Sequence, residues 1–303
     1  DGDNDPDILA ASAKPFNISW FENDGMGRFD VVQTLASSVG GGVPPEILAT
    51  DVDADGDPDV VFATIGGFGK VSWFQNLDGA GTFSPVKSIA NASYVDQIVF
   101  ADVNGDQAPD LICSHHSGSD YLWVGYADSA GYFSKPVTNY AKANLGEDLK
   151  TGDLDGDGKT DLITIGEGGL YVLLSSKNFN NKIVESVFLY NGRSVSVSDI
   201  DLDGDNDLVV TKGEYTDGYI LWYENKDGLG NFNPSSTILS GIVDYNGLPN
   251  LVCGDLDADQ DPDIVFSNGY LFQQIDWIEN VLAGSRTISG RCFWDVNASG
   301  QPD

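Results

Sequence analysis

The chain has 303 residues, 41% of them hydrophobic, with 12 Tyr, 15 Phe and 6 Trp, a composition that folds and excludes a disordered tail in spite of a formal charge of −32. Only 15 Lys and Arg stand against 47 Asp and Glu, so neither a nucleic-acid backbone nor an anionic membrane surface is expected as a partner. No apolar run approaches the ~20 residues of a membrane-crossing helix, and Cys113, Cys253 and Cys292 lie at no metal-ligand spacing and read as buried free thiols.

In chain order, the first stretch is DGDNDPD (1–7), acidic at every second position. It is followed by the β-branched run DILAAS, the aromatic strand NISWFEN, the glycine turn DGMGRF and a further strand, DVVQTLA. Then EILAT leads into DVDADGDPD (51–59) and the series restarts with DVVFATI, KVSWFQN, DGAGTF, SPVKSIA and QIVFA. The third series opens on DVNGDQAPD (102–110), the fourth on DLDGDGKTD (153–161), the fifth on DIDLDGDND (199–207) and the sixth on DLDADQDPD (255–263). The first acidic residues of the complete loops, at 51, 102, 153, 199 and 255, are 51, 51, 46 and 56 residues apart. Four short strands per ~50 residues, with turn chemistry between them and no helical period, predict an all-β chain: a β-propeller of four-stranded blades with six repeat units visible. A linear β-solenoid is the alternative.

Twenty-six of the 47 acidic residues fall in these six loops, so the charge is concentrated in one recurring device. Unneutralised, so many like charges would repel, and a folded loop of this composition calls for a cation. Side chains at positions one, three and five of a curling loop converge, position seven offers a carbonyl and position nine closes the shell, which suits Ca2+ better than the small rigid shell of Mg2+ or the His and Cys preference of Zn2+. The expected ligands are Asp1, Asp3 and Asp7; Asp51, Asp53, Asp55 and Asp59; Asp102, Asn104, Asp106 and Asp110; Asp153, Asp155, Asp157 and Asp161; Asp199, Asp201, Asp203 and Asp207; and Asp255, Asp257, Asp259 and Asp263. Gly56, Gly158 and Gly204 fill position six, where a sharp turn favours positive φ. An EF-hand is excluded, because position twelve is Phe62, Cys113, Thr164, Val210 or Phe266 instead of Glu and the flanks are strands.

The acidic loop between strands, the W-[FYI]-E-N strand and the G-x-G-x-F turn together resemble the FG-GAP/VCBS repeats, over residues 1 to about 280. The resemblance implies a propeller of a secreted or cell-surface protein whose loops are structural calcium sites. Repeat four departs from it, with SSKNFNN for the glycine turn and GLYVLLS without the Trp. The propeller is expected over 1–281, and 282–303 as a linker and the start of a second β module, TISGRCFWDVNASGQPD resembling the opening of an adhesin B-type sandwich. The alternative for that segment is a degenerate last blade. Both ends fall inside motifs, so further domains of the same polypeptide and seven blades in all are expected.

Catalysis is not expected. The only histidines, His115 and His116, are adjacent in DLICSHHSGSD, so on a strand they point to opposite faces, and a pairing with Asp120 has nothing else in support. No nucleophile elbow, phosphate loop or dinucleotide fingerprint occurs. The expected function is a non-enzymatic, calcium-stabilised recognition or adhesion domain for a glycan or protein, with Tyr215, Tyr219 and Tyr245 as candidate sugar-stacking rings. The alternative is a structural spacer or accessory of a larger secreted enzyme or surface fibre. Sequons stand at Asn17, Asn91 and Asn297, the last beside Asp295 and Asp303 in a candidate further loop.

Overall fold

The structure is a computed structural model that describes residues 1–3, 5–13, 16–29, 31–37, 46–64, 69–91, 95–115, 121–127, 133, 137–140, 148–166, 169–177, 179, 181–186, 194–214, 217–232, 236–242, 250–257, 259–268, 274–280 and 292–293. The chain divides into two compact units, Asp1–Lys142 and Ala143–Asp303. Both are built from antiparallel meanders in which each strand pairs with the next in sequence. Among the described residues the one helical element is a 3-10 turn, Ser175–Lys177, and no helix is long and apolar enough to cross a membrane.

In the first unit, β1 (Ile8–Ala13), β2 (Phe16–Glu22) and β3 (Val31–Ser37) form a three-stranded sheet. Two four-stranded sheets follow: β4 (Glu46–Thr50), β5 (Asp59–Ala63), β6 (Lys70–Phe74) and β7 (Lys87–Asn91), then β8 (Val95–Ala101), β9 (Asp110–His115), β10 (Tyr121–Gly125) and β11 (Val137–Tyr140). The second unit holds three more. They are β12 (Asp148–Gly152), β13 (Asp161–Gly166), β14 (Gly169–Leu173) and β15 (Asn181–Ser186); β16 (Val195–Ser198), β17 (Asp207–Glu214), β18 (Asp217–Tyr223) and β19 (Ser236–Ile242); and β20 (Leu251–Gly254), β21 (Asp263–Asn268), β22 (Gln274–Ile278) and β23 (Cys292–Phe293). Cys292 and Phe293, which the sequence placed beyond the repeats, pair with Ile278 and Trp277 as the outer strand of the sixth sheet.

The second strands of the second and fifth sheets, β5 and β17, are apolar on both faces, because both faces are covered. In β5 all five residues are buried: Val60 and Phe62 pack with Ile18 and Phe74 against the first sheet, while Val61 and Ala63 pack with Trp73, Val95, Leu111 and Trp123 against the third. Alternation along the strand therefore sends successive residues into two different cores. The same arrangement joins the fourth to the fifth sheet through Ile163, Ile165, Val195, Val210 and Leu221, and the fifth to the sixth through Val209, Trp222, Ile264 and Phe266. A register shift recurs between the last two strands of each of the first five sheets, at Ile18/Ser19, Val71/Ser72, Leu122/Trp123, Leu170/Tyr171 and Gly218/Tyr219. Bulges of this kind add twist, which lets each sheet follow the face of its neighbour.

Candidate metal centres

Each complete acidic loop links the first two strands of a sheet, β4 to β5, β8 to β9, β12 to β13, β16 to β17 and β20 to β21. In loop 51–59 the position-one carboxylate folds the bend: Asp51 accepts the amides of Asp55 at 3.1 Å and Gly56 at 2.9 Å. Position five makes the next turn, Asp55 accepting the Asp57 amide at 3.0 Å. Position six carries positive φ at Gly56, Gly158 and Gly204, as read from the sequence, and at Gln107 and Gln260, which have a side chain there. Position four is equally left-handed, at Ala54, Gly105, Gly156 and Leu202, and nothing in the composition of that position pointed to it. Each such non-glycine residue costs about 1–2 kcal/mol, so the loops hold strain that something must offset.

Position nine has a distinct task. Asp59, Asp110, Asp161 and Asp263 are fully buried and Asp207 nearly so. One oxygen accepts the position-two amide, from Val52, Val103, Leu154, Ile200 and Leu256 at 2.9–3.3 Å. The other accepts an amide at the end of the third strand, from Asn76, Ala127, Ser175, Asn225 and Asn280 at 2.7–2.9 Å. Asp7 does likewise with Asn23 at 2.8 Å and takes the Trp20 indole N–H at 3.0 Å. Burial pushes the carboxyls of Asp59 and Asp110 up to about 6 and that of Asp207 to about 7, against the lowering effect of those amides.

Carboxylate oxygens converge in four groups, Asp51–Asp53–Asp59, Asp153–Asp155–Asp161, Asp199–Asp201–Asp203 and Asp255–Asp257–Asp259, each with its three oxygens within 4.8 Å of one another. That separation is what one cation with oxygens at about 2.3–2.6 Å spans across its shell. Asp53 Oδ1 and Asp155 Oδ1 are buried with no hydrogen-bond partner, while their other oxygens accept from Gln75 Nε2 at 2.7 Å and Ser176 Oγ at 2.5 Å. Burial and then the charges of Asp55 and Asp51 push the Asp53 carboxyl upward. Orphaned buried oxygens among like charges fit a hard divalent ion.

Loop 102–110 is different. Asn104 Oδ1 accepts the Asp106 amide at 2.8 Å, and its Nδ2 donates to Asp106 Oδ2 at 3.1 Å and lies 3.5 Å from Asp110 Oδ1. In the first loop, Asp1 accepts the Asp3 amide and Asp3 that of Asp5.

The asparagine of the W-x-[EQ]-N strand is the functional residue that loop spacing missed. Asn225 Nδ2 donates to the Leu154 carbonyl of the preceding loop at 2.9 Å and to the Asn206 carbonyl of its own at 3.1 Å, and its Oδ1 accepts the Gly230 amide at 3.1 Å. Asn280 repeats the bridge to the Ile200 carbonyl at 2.8 Å, and Asn76 Oδ1 accepts the Gly81 amide at 3.2 Å. The glycine turns sit close beside: a Cβ on Gly79 or Gly228 would stand 2.4 Å from Asp57 Oδ1 or Asp205 Oδ1, and one on Gly81 2.5 Å from the Trp20 ring. Repeat four replaces this turn with the Ser175–Lys177 3-10 turn, and Ser175 supplies the amide to Asp161.

Of the other expected residues, Tyr219 packs half-buried against the core of the fourth and fifth sheets, while Tyr215, Tyr245, His116 and Asp120 lie outside the described residues. His115 ends β9 opposite Tyr121. Cys113 is buried and Cys253 half-buried, and burial pushes the first thiol far up and the second to about 12. A cavity of about 350 Å³ opens between the first two sheets, its lining including Asp5, Asp7, Trp20, Asp59, Asn76 and Phe83.

The sequence profile of the FG-GAP-like repeat matches residues 1–61, 51–113, 102–164, 153–210 and 199–266, one acidic loop opening and another closing each match. The chain belongs to the FG-GAP-like repeat family. No curated protein matches it significantly. Its FG-GAP sheets resemble an Agrocybe aegerita lectin whose specific recognition of non-reducing terminal N-acetylglucosamine has been described, at 18% identity and TM-score 0.64 over 94% of this chain and 79% of that one. They also resemble a functionally unknown protein from Desulfotomaculum acetoxidans, at 12% identity and TM-score 0.54 over 95% and 79%. The exotype rhamnogalacturonan lyase YesX is a third, at 12% and 0.52 over 88% and 52%. At these identities the likeness is one of fold.

Proposed function

We propose that the chain is a non-enzymatic, calcium-stabilised β-propeller that acts as an extracellular recognition domain for a glycan or protein. The observation that carries this reading is the four groups of three carboxylates, each gathered at the span of a single ion. Calcium is the ion of choice because its shell is all oxygen and tolerant of irregular geometry, and sites of this kind load at the roughly 10⁻⁴–10⁻³ M affinity that suits extracellular levels. The carboxylates, committed to backbone amides or to a cation, make poor general acids.

A seventh blade belongs to the same reading. Leu256, at position two of the last loop, is 53% exposed, where its counterparts Val52, Val103, Leu154 and Ile200 are at most 3% exposed. Ile275 is 71% exposed, where Val71 and Ile220 at the same register are fully buried. Both stand where one more blade would pack. We end the sixth blade at Phe293 and place any second module after it. For the ligand, the cavity beside Trp20 sets aromatic rings next to carboxylate and amide groups, the mixture that sugars bind, and the fold shared with a lectin supports the same class.

Thermal unfolding in calcium and in EDTA tests the metal: Tm should fall by well over 10 °C in chelator, and superimposed curves would refute calcium. A glycan array on the chain tests the ligand. Specific hits support recognition, and a silent array favours the spacer.

A further inference from the structure

We propose that loop 102–110 carries an internal substitute for the cation, the Asn104 side-chain amide, and that the third repeat folds without a metal ion. The inference rests on the calcium reading of the other loops. It starts from what position three does in two of the loops where it is aspartate. In the first and last loops one oxygen, Asp1 Oδ1 or Asp257 Oδ1, accepts the amide two residues on, at 3.3 and 3.2 Å, which leaves the second oxygen for the centre of the loop. Asn104 makes the same turn with its oxygen, accepting the Asp106 amide at 2.8 Å. That bond fixes the orientation of the side chain, since a reversed amide would set an NH2 against the Asp106 N–H.

The atom left for the centre is therefore a nitrogen with two protons. It donates to Asp106 Oδ2 at 3.1 Å and lies 3.5 Å from Asp110 Oδ1, the two carboxylates that position five and position nine would otherwise turn toward an ion. Asp102, at position one, is spent on three amides, those of Gly105 and Asp106 through Oδ1 and Gln107 through Oδ2. No oxygen of Asp102, Asn104, Asp106 or Asp110 is buried without a partner, in contrast to Asp53 and Asp155, and these residues form no three-carboxylate group. Composition agrees: the loop has three carboxylates where loops 51–59 and 199–207 have five, and position seven is Ala108 where those loops have Asp57 and Asp205. An N–H donor offsets less charge than a divalent ion, and this loop has less to offset.

The experiment counts calcium bound per chain, by native mass spectrometry and by equilibrium dialysis, in the wild type and three variants of the full chain. Asn104→Ala should leave the number unchanged and lower Tm equally in calcium and EDTA. Asn104→Asp should add one ion, and Asp53→Asn, the control, should remove one. A loss of one ion in Asn104→Ala makes the side chain a calcium ligand and overturns the inference while the calcium reading stands. An unchanged count in Asn104→Asp beside a lowered one in Asp53→Asn also overturns it. A wild type that binds no calcium refutes the calcium reading itself, and with it the contrast between loops.

Discussion

At the scale of single residues, the loop aspartates divide into two kinds that the sequence writes with one letter. Those at position nine are staples between backbone amides, whereas Asp53 and Asp155 at position three each keep one buried oxygen without a hydrogen-bond partner. Asp110→Asn replaces one acceptor by an NH2 facing an N–H donor, so it should cost about 1–3 kcal/mol of unfolding free energy in urea titration, alike with and without calcium. Asp53→Asn removes a charge from a crowded group that the proposed ion would offset. It should lower Tm in calcium and leave it unchanged or raised in EDTA; an equal loss in both would show that Asp53 is a staple too. The alternating spacing was legible because charge periodicity is a property of the string. The division of labour was not, because it depends on which amide each oxygen meets after the chain has turned.

At the scale of elements, the strand asparagines Asn225 and Asn280 tie loops 199–207 and 255–263 to their own sheets and to the loop before. Gly79 has φ +66° and a neighbour, Asp57, at 2.4 Å from any added Cβ, whereas Gly56 has φ +98° and open space. Both Ala variants therefore carry the cost of a left-handed residue, about 1–2 kcal/mol. Gly79→Ala should lose measurably more than Gly56→Ala in chemical denaturation, because its Cβ must push the carboxylate aside. Asn225→Ala leaves the Leu154 carbonyl, the Asn206 carbonyl and the Gly230 amide without their partner, and should cost roughly 2–4 kcal/mol, as two or three buried groups lose a bond at about 1 kcal/mol or more each. The strand rhythm itself was written in the sequence, since β-branched and aromatic runs between glycines need only local reading. The asparagine's role and the strand Cys292–Phe293 were not, for both are defined by partners far along the chain. Repeat four shows the limit from the other side: its turn lost the glycines, yet Ser175 meets Asp161 where Asn76, Asn225 and Asn280 meet theirs.

At the scale of the whole molecule, calcium would act as many small contributions in parallel. At 10 mM ion and dissociation constants of roughly 10⁻⁴–10⁻³ M, each loaded loop adds about 1.4–2.7 kcal/mol to the folded state by mass action. Four loops together therefore rival the entire stability of an ordinary domain, about 5–15 kcal/mol. Limited proteolysis should accordingly pass from slow to fast over a narrow range of free calcium near the site affinity, and a cleavage rate flat across that range would contradict the scheme.

The bare flank of the sixth sheet has a practical corollary. Ile275, Val252 and Leu256 leave a greasy wall where the first, second, fourth and fifth sheets each have the next sheet leaning on them. Any severed product of this polypeptide that stops between two leaves would bear such a wall, and would tend to stick to its own kind. Solubility should therefore come and go with whole leaves rather than with residues, so that trimming by ten matters less than where in the ~50-residue cycle the cut is made.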